Sequence, residues 1–299
     1  MRARQTVERR QLGLSLKRYR GSRGASQAEV AASLGVSDSR ISKVEDGTAT
    51  LSTDQLARVL DFLDVHGAER ATALELGARA RKRLRRSAKD IPPYTDTLPG
   101  SFQRLADMEA DATAIHCYQP GVVPGLLQAP GYIRSGMSAG DGVFWESSEA
   151  GVEGRYTFRR DRQVKILESN RPKKLEFVFT EDALDCFGAN PEVRREQLEH
   201  LLRLTGQHPD LTVQVLRPGD LRNPVPSAGV IVLDFDGTAP SVAFTPTIYG
   251  PSSYFDEPVD TANLLRAFRK VQELARGHAD TIELIRRRLQ EDDHAERPA

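Results

Sequence analysis

The sequence predicts an all-α N-terminal domain of five helices joined to a larger α+β C-terminal domain, and three observations carry that prediction. Up to residue 86 the apolar residues recur at helical spacing, punctuated by Ser and Gly. Residues 87–99 then interrupt the pattern with three prolines. Beyond them, short alternating apolar runs interleave with helical stripes. The expected boundaries are 9–86 for the helical domain, 87–99 for a linker, 100–290 for the α+β domain and 291–299 for a tail. With 39% apolar and 28% charged residues the composition is globular, and no stretch approaches the roughly 18 apolar residues of a membrane span. The start, MRARQTVERRQ, has basic residues but no apolar run behind them, so a cytoplasmic chain is expected. Cys117 and Cys186 are too few for a disulfide scaffold and sit in no metal spacing; buried thiols are expected, with no metal and no cofactor.

The helices follow from local signals. Leu12, Leu16 and Tyr19 form one stripe of a first helix, which Gly21 or Gly24 is able to end. Ser26-Gln27-Ala28-Glu29 is a capping box for a second, with Val30, Ala31 and Leu34 as its inner face and Gly35 as a left-handed stop. Ser37 is placed to cap a third helix, whose Ile41 and Val44 point inward before Gly47 closes it. Ser52 with Gln55 caps a fourth, carrying Leu56, Val59, Leu60 and Leu63, and a fifth is expected from Ala68 to about Arg86. Two short helices joined by a tight turn containing glycine, with further helices building a core behind them, is a helix-turn-helix arrangement.

The zero net charge hides an asymmetry. Residues 1–90 hold 19 Lys and Arg against 11 Asp and Glu, and residues 91–299 hold 23 against 31, so a basic head precedes an acidic body. That asymmetry points to an anionic partner for the head, nucleic acid first.

The head resembles the Cro/cI-type (XRE) helix-turn-helix family through Ser26-Gln27-Ala28-Glu29-Val30-Ala31, Leu34-Gly35-Val36-Ser37 and Ile41-Ser42-Lys43-Val44-Glu45-Asp46-Gly47. In that geometry the third helix enters the major groove by its N-terminal end, so Ser37, Asp38, Ser39, Arg40, Ser42 and Lys43 are the candidates for DNA contact. Arg40 suits guanine O6 and N7; Ser39 suits several base edges; Asp38 either accepts from cytosine N4 or favours the helix dipole. The resemblance places Gln27 at a phosphate, and Lys43, Thr48 and Arg23 are further backbone candidates. An acid facing phosphate is repelled, so Glu45 is expected to make an internal polar bond. The run from Arg79 to Arg86 either grips phosphates or forms the solvated end of the fifth helix. Regulators of this kind pair to read two half-sites, so a homodimer on a palindromic operator in double-stranded DNA is expected.

In the body, a helix is expected over 101–114, an apolar segment at Ile115-His116-Cys117-Tyr118, and a type II turn at Pro124-Gly125 before a helical stretch. Strands are expected around Leu175, Phe177 and Phe179, around Leu211, Val213 and Val215, over 229–235 and over 241–245. Helices are expected over 191–205 and along Leu264, Leu265, Phe268, Val271 and Ala275. The body is similar to the C-terminal domain of WhiJ-like actinobacterial regulators. The likeness rests on Tyr118-Gln119-Pro120 with Val123-Pro124-Gly125-Leu126-Leu127-Gln128, on Arg162-Gln163, on Glu181-Asp182-Ala183-Leu184, and on Gln197-Leu198-Glu199-His200-Leu201 followed by Leu211-Thr212-Val213-Gln214-Val215-Leu216. It implies a developmental or antibiotic-linked transcription regulator, often encoded next to a small partner protein that the body would bind; as a DNA-binding protein the chain is expected to be nucleoid-associated.

The six histidines fall in no catalytic motif, and Glu181 and Asp182 read as helix caps, so no enzyme is expected. The alternative is an interaction module that holds a toxin-like partner and binds DNA only to regulate itself. A small effector is a further option, with Phe144, Trp145 and Tyr249 either lining a pocket or packing in the core.

Overall fold

The structure, a computed structural model, describes residues 5–82, 94–97, 100–144, 146–186, 190–237, 239–247 and 251–295. The chain forms two compact units, Met1–Asp111 with Phe235–Thr261, and Ala112–Asp234 with Ala262–Ala299. Trp145, Tyr249, residues 83–86 of the basic run and all of 87–99 except 94–97 lie outside the described residues.

The first unit begins with five helices: α1 Val7–Arg23, α2 Gln27–Leu34, α3 Asp38–Glu45, α4 Thr53–Phe62 and α5 Gly67–Lys82. Thr6 caps α1, which starts two residues ahead of the expected domain start, and the helix runs through Gly21 to a left-handed Gly24. Both capping boxes form completely: Ser26 with Glu29 opens α2, and Ser52 with Gln55 opens α4. Ser37 is the N-cap of α3 by position, yet its side chain makes no capping bond. The expected inward residues close one core, in which Leu12, Leu16, Val30, Ala31, Ile41, Val44, Leu56, Val59 and Leu60 are all buried.

The same unit contains three strands, β1 Tyr94–Thr95, β6 Val242–Thr245 and β7 Ser253–Phe255, and a helix, α6 Ser101–Asp111. β7 pairs antiparallel with both β1 and β6. The stretch read as a linker therefore holds an edge strand, with Tyr94 opposite Tyr254 and both side chains buried. These segments cover the polar side of α1. Gln11 donates to Asp96 Oδ2 at 3.2 Å, Arg10 lies 3.5 Å from Asp111 and 3.6 Å above the Phe235 ring, and Asp96 pairs with Arg104 at 2.5 Å. A helix-turn-helix head standing alone would solvate that side; here Glu8, Arg9, Arg10 and Gln11 are buried.

The second unit is built on a four-stranded mixed sheet in the order β5-β2-β3-β4, comprising β2 Ala114–Gln119, β3 Lys174–Thr180, β4 Leu211–Leu216 and β5 Val230–Asp234. β2, β3 and β4 are parallel, with Cys117 opposite Phe177 and Phe177 opposite Val213, while β5 runs antiparallel to β2. Parallel neighbours need long crossovers, and the helices supply them. α7 Pro130–Gly140 and α8 Glu149–Leu167 join β2 to β3, and α9 Pro191–Gln207 joins β3 to β4. α10 Pro258–Leu274 carries the expected stripe, with Phe268 and Val271 fully buried, and α11 His278–Ala295 follows it. Thr281 of α11 accepts the Val215 N–H at 3.2 Å, satisfying a donor on β4.

Three expectations change. Gly125 does not adopt the left-handed conformation that a type II turn requires; it opens a short 3₁₀ helix, Gly125–Leu127, closed by the Leu127 N–H on the Pro124 carbonyl at 2.8 Å. Cys117 is buried, but Cys186 is half-buried. Phe144 is not packed in the core, being 47% exposed.

The shared motif residues of the body brace that 3₁₀ corner. Gln163 donates to the Gly125 and Gln128 carbonyls at 2.9 Å each, Gln197 donates to the Leu127 carbonyl at 2.9 Å and accepts from the Ala129 N–H at 2.8 Å, and Gln128 donates to the Val123 carbonyl at 2.8 Å. Buried backbone groups need partners, and three glutamines supply them here.

Candidate nucleic-acid interface

The interface is formed by α2, the turn at residues 35–37 and α3. Gly35 sits at φ 68°, and the Val36 N–H returns to the Ala31 carbonyl at 3.0 Å, so the chain reverses within three residues. α3 then presents two opposite sides. Ile41 and Val44 are 3% and 2% exposed, while Ser37, Asp38, Ser39, Arg40 and Lys43 face solvent.

Besides the packing of Ile41 and Val44, Glu45 fastens α3 to its neighbours. Arg20 of α1 donates from Nε and Nη2 to the two Glu45 oxygens at 2.6 and 2.9 Å, and Gln27 of α2 donates to Oε2 at 2.7 Å. One buried carboxylate thus ties three helices together, the internal role expected of it. The bond to Glu45 raises the Arg20 pKa above its ordinary value. Gln27, proposed from sequence as a phosphate contact, has one of its two amide N–H groups engaged by Glu45; the second is the one available to a phosphate.

The remaining candidates differ in how free they are. Arg40 donates from Nη2 to the Thr50 carbonyl at 2.6 Å, which engages one of its five N–H groups. Ser42 is half-buried and reaches Asp46 at 3.4 Å, and Thr48 donates to the Lys43 carbonyl at 3.0 Å, which closes the chain after α3. Arg23 is exposed and 3.8 Å from Asp64. Lys43 is exposed on the same side as Arg40.

Two residues that sequence reasoning passed over matter locally. Arg58 of α4 donates to the Ser33 carbonyl at 2.7 Å beside the end of α2. Arg81, part of the basic run, donates to the Leu51 carbonyl and to Thr53 Oγ1 at 3.2 and 2.9 Å and so pins the start of α4. Arg79 pairs with Glu75 at 3.1 Å. The i,i+4 spacing of Glu75 and Arg79 is legible in the sequence, whereas no spacing signal marks the bonds of Arg58 and Arg81.

Among the described residues no helix is long and apolar enough to cross a membrane. No curated protein and no solved structure matches the chain. Two family models do: a helix-turn-helix domain matches residues 11–73, which contain α2, the turn and α3, and a domain of unknown function, DUF5753, matches residues 102–287. With an N-terminal helix-turn-helix DNA-binding domain and a match that spans most of its length, the chain belongs to the DUF5753 family.

Proposed function

We propose that this protein is a sequence-specific transcriptional regulator, cytoplasmic and nucleoid-associated, that reads the major groove with α3 and senses a partner protein or effector through its C-terminal domain. The XRE-like and WhiJ-like likenesses of the two parts belong to this reading. The observation that supports it best is the division of α3, whose apolar side is locked into the core while Ser39, Arg40 and Lys43 stand clear. It is a regulator without enzymatic activity, acting as a homodimer on a palindromic site.

Arg40→Ala is expected to cost about 1–3 kcal/mol and to relax preference at one base pair, whereas Lys43→Ala weakens all sequences alike and lowers the salt dependence by about one unit. Fluorescence anisotropy on a selected operator and on random duplex, across a salt series, separates the two. Because Arg40 also holds the Thr50 carbonyl, thermal melting of the variant is the control. Equal losses on operator and random DNA from Arg40→Ala would remove it as a base reader. Sedimentation on a two-half-site duplex is expected to give two chains per duplex; one chain on both free protein and duplex would end the dimer reading.

A further inference from the structure

A groove of about 380 Å³ runs between α8 and α9 in the second unit, and its walls are chemically uneven. Val164, Leu167 and Leu204 supply apolar surface, and Arg160 and Arg203 supply two guanidinium groups. Among the described residues neither guanidinium is paired with a carboxylate: Arg160 donates to Gln163 Oε1 at 2.6 Å, and Arg203 donates to His200 Nδ1 at 3.1 Å. Glu168, which also lines the groove, pairs with neither.

His200 stands at the same groove. It lines the groove, is 9% exposed, and its Nε2 is buried without a hydrogen-bond partner. A guanidinium only donates, so the Nδ1 that receives Arg203 must be the unprotonated nitrogen. Burial, with the charges of Arg203 and Arg160, lowers the His200 pKa to about 4, so near neutral pH the ring is uncharged and its one proton is on Nε2. The result is a buried N–H donor with no acceptor beside two cations with no anion. Nδ1 and Nε2 point to opposite sides of the ring, so an anion entering the groove meets the two guanidinium groups, and the His200 ring beside them reports its arrival.

We propose that the α8–α9 groove binds a small molecule with one carboxylate or phosphate group and an apolar body, the anion meeting Arg160 and Arg203 and the body lying on Val164, Leu167 and Leu204. The volume suits a small-molecule site, with an apolar patch set among polar and charged groups. This deepens the effector half of the function proposed above and is independent of its DNA half, because binding is read on the protein with no DNA present.

The test titrates the full-length protein with phenyl phosphate, benzoate and phenol by calorimetry, and follows the His200 ring nitrogens by NMR. Expected are saturable binding of phenyl phosphate or benzoate at one site per chain, a shift of the His200 Nε2 signal, and no saturable binding of phenol. Arg203→Gln and Arg160→Gln, each melting like the parent, are expected to weaken the anion by about tenfold, the worth of one charge-assisted hydrogen bond. Phenol binding as well as phenyl phosphate, affinity unchanged in both arginine variants, or no saturable binding of either anion up to tens of millimolar, would each overturn the proposal. Loss of DNA affinity alone would bear on the regulator reading and leave the groove intact.

Discussion

Gly13→Ala is expected to destabilise the N-terminal unit by about 2 kcal/mol or more, although it replaces a poor helix former by the best one inside a long helix. On propensity alone the change favours α1 by about 0.5–1 kcal/mol. The position decides against it. A β-carbon at Gly13 would lie 2.6 Å from the Val44 carbonyl oxygen and closer still to that of Glu45. Both are backbone atoms of α3, so no side chain can turn aside, and α1 and α3 must separate; overpacking of this kind costs about 1–3 kcal/mol and at times more. Because α3 carries the candidate reading residues, the same displacement is expected to lower operator affinity together with the melting temperature. Thermal unfolding of the full chain, followed by circular dichroism, checks the first part. A melting temperature equal to or above the parent's would show that α1 does not approach α3 as closely as described.

The second large effect is expected in the other unit, at Glu176. This carboxylate on β3 is buried and receives His116 Nδ1 at 2.5 Å, Arg269 Nη1 at 2.8 Å and Lys174 Nζ at 3.1 Å, with Gln272 at 3.4 Å. His116, buried on the adjacent β2, reaches Asp234 of β5 with its other nitrogen at 3.0 Å. Glu176→Ala would leave Arg269 and a buried imidazole without their shared acceptor, and because Arg269 is 37% exposed the cost falls below the about 3–5 kcal/mol of a fully buried charge pair. Glu176→Gln keeps the shape and some hydrogen bonding and separates charge from volume.

The pH dependence of the same group has a definite sign. Burial alone would raise the Glu176 pKa, but hydrogen bonds from Lys174 and Arg269 and the charges of Arg269 and His116 outweigh it, and the folded-state value lies below the ordinary 4.5. When the folded value is the lower one, the unfolded chain takes up the proton first. The stabilisation is therefore complete above 4.5 and is lost as the pH falls from there through the folded value. Urea unfolding of parent and Glu176→Gln should show a gap at neutral pH that closes in this acid range; a gap of constant size would mean that the carboxylate charge contributes nothing.

Much of the head could be read directly because its signals are local. A capping box involves residues three apart, a left-handed glycine stop involves one, and an apolar stripe repeats within two turns, so Ser26 with Glu29, Ser52 with Gln55, Gly35 and the buried set from Leu12 to Leu63 were all visible in the chain itself. The exposed side of α3 followed from the same periodicity. Strands β3, β4 and β5 were equally plain because alternating or continuous apolar runs are short-range patterns. The helices α8 and α11 were not anticipated. α8 is rich in charge and buries few residues, and α11 buries a narrow stripe amid a polar face, so neither carries the contrast that periodicity detects.

By itself, then, the sequence determined the five helices of the head, the division of α3 into an inner and an outer side, and the mixed character of the body. Only the tertiary structure decided that Gly13 must lack a side chain, that Glu45 joins three helices, that three glutamines brace the 3₁₀ corner, and that Phe235–Thr261 belongs with the N-terminal unit. The reason is one of range. Helix caps and periodic faces are energies of neighbouring residues along the chain, whereas the meeting of His116 with Glu176, or of Arg203 and Arg160 around His200, depends on which elements lie side by side in space.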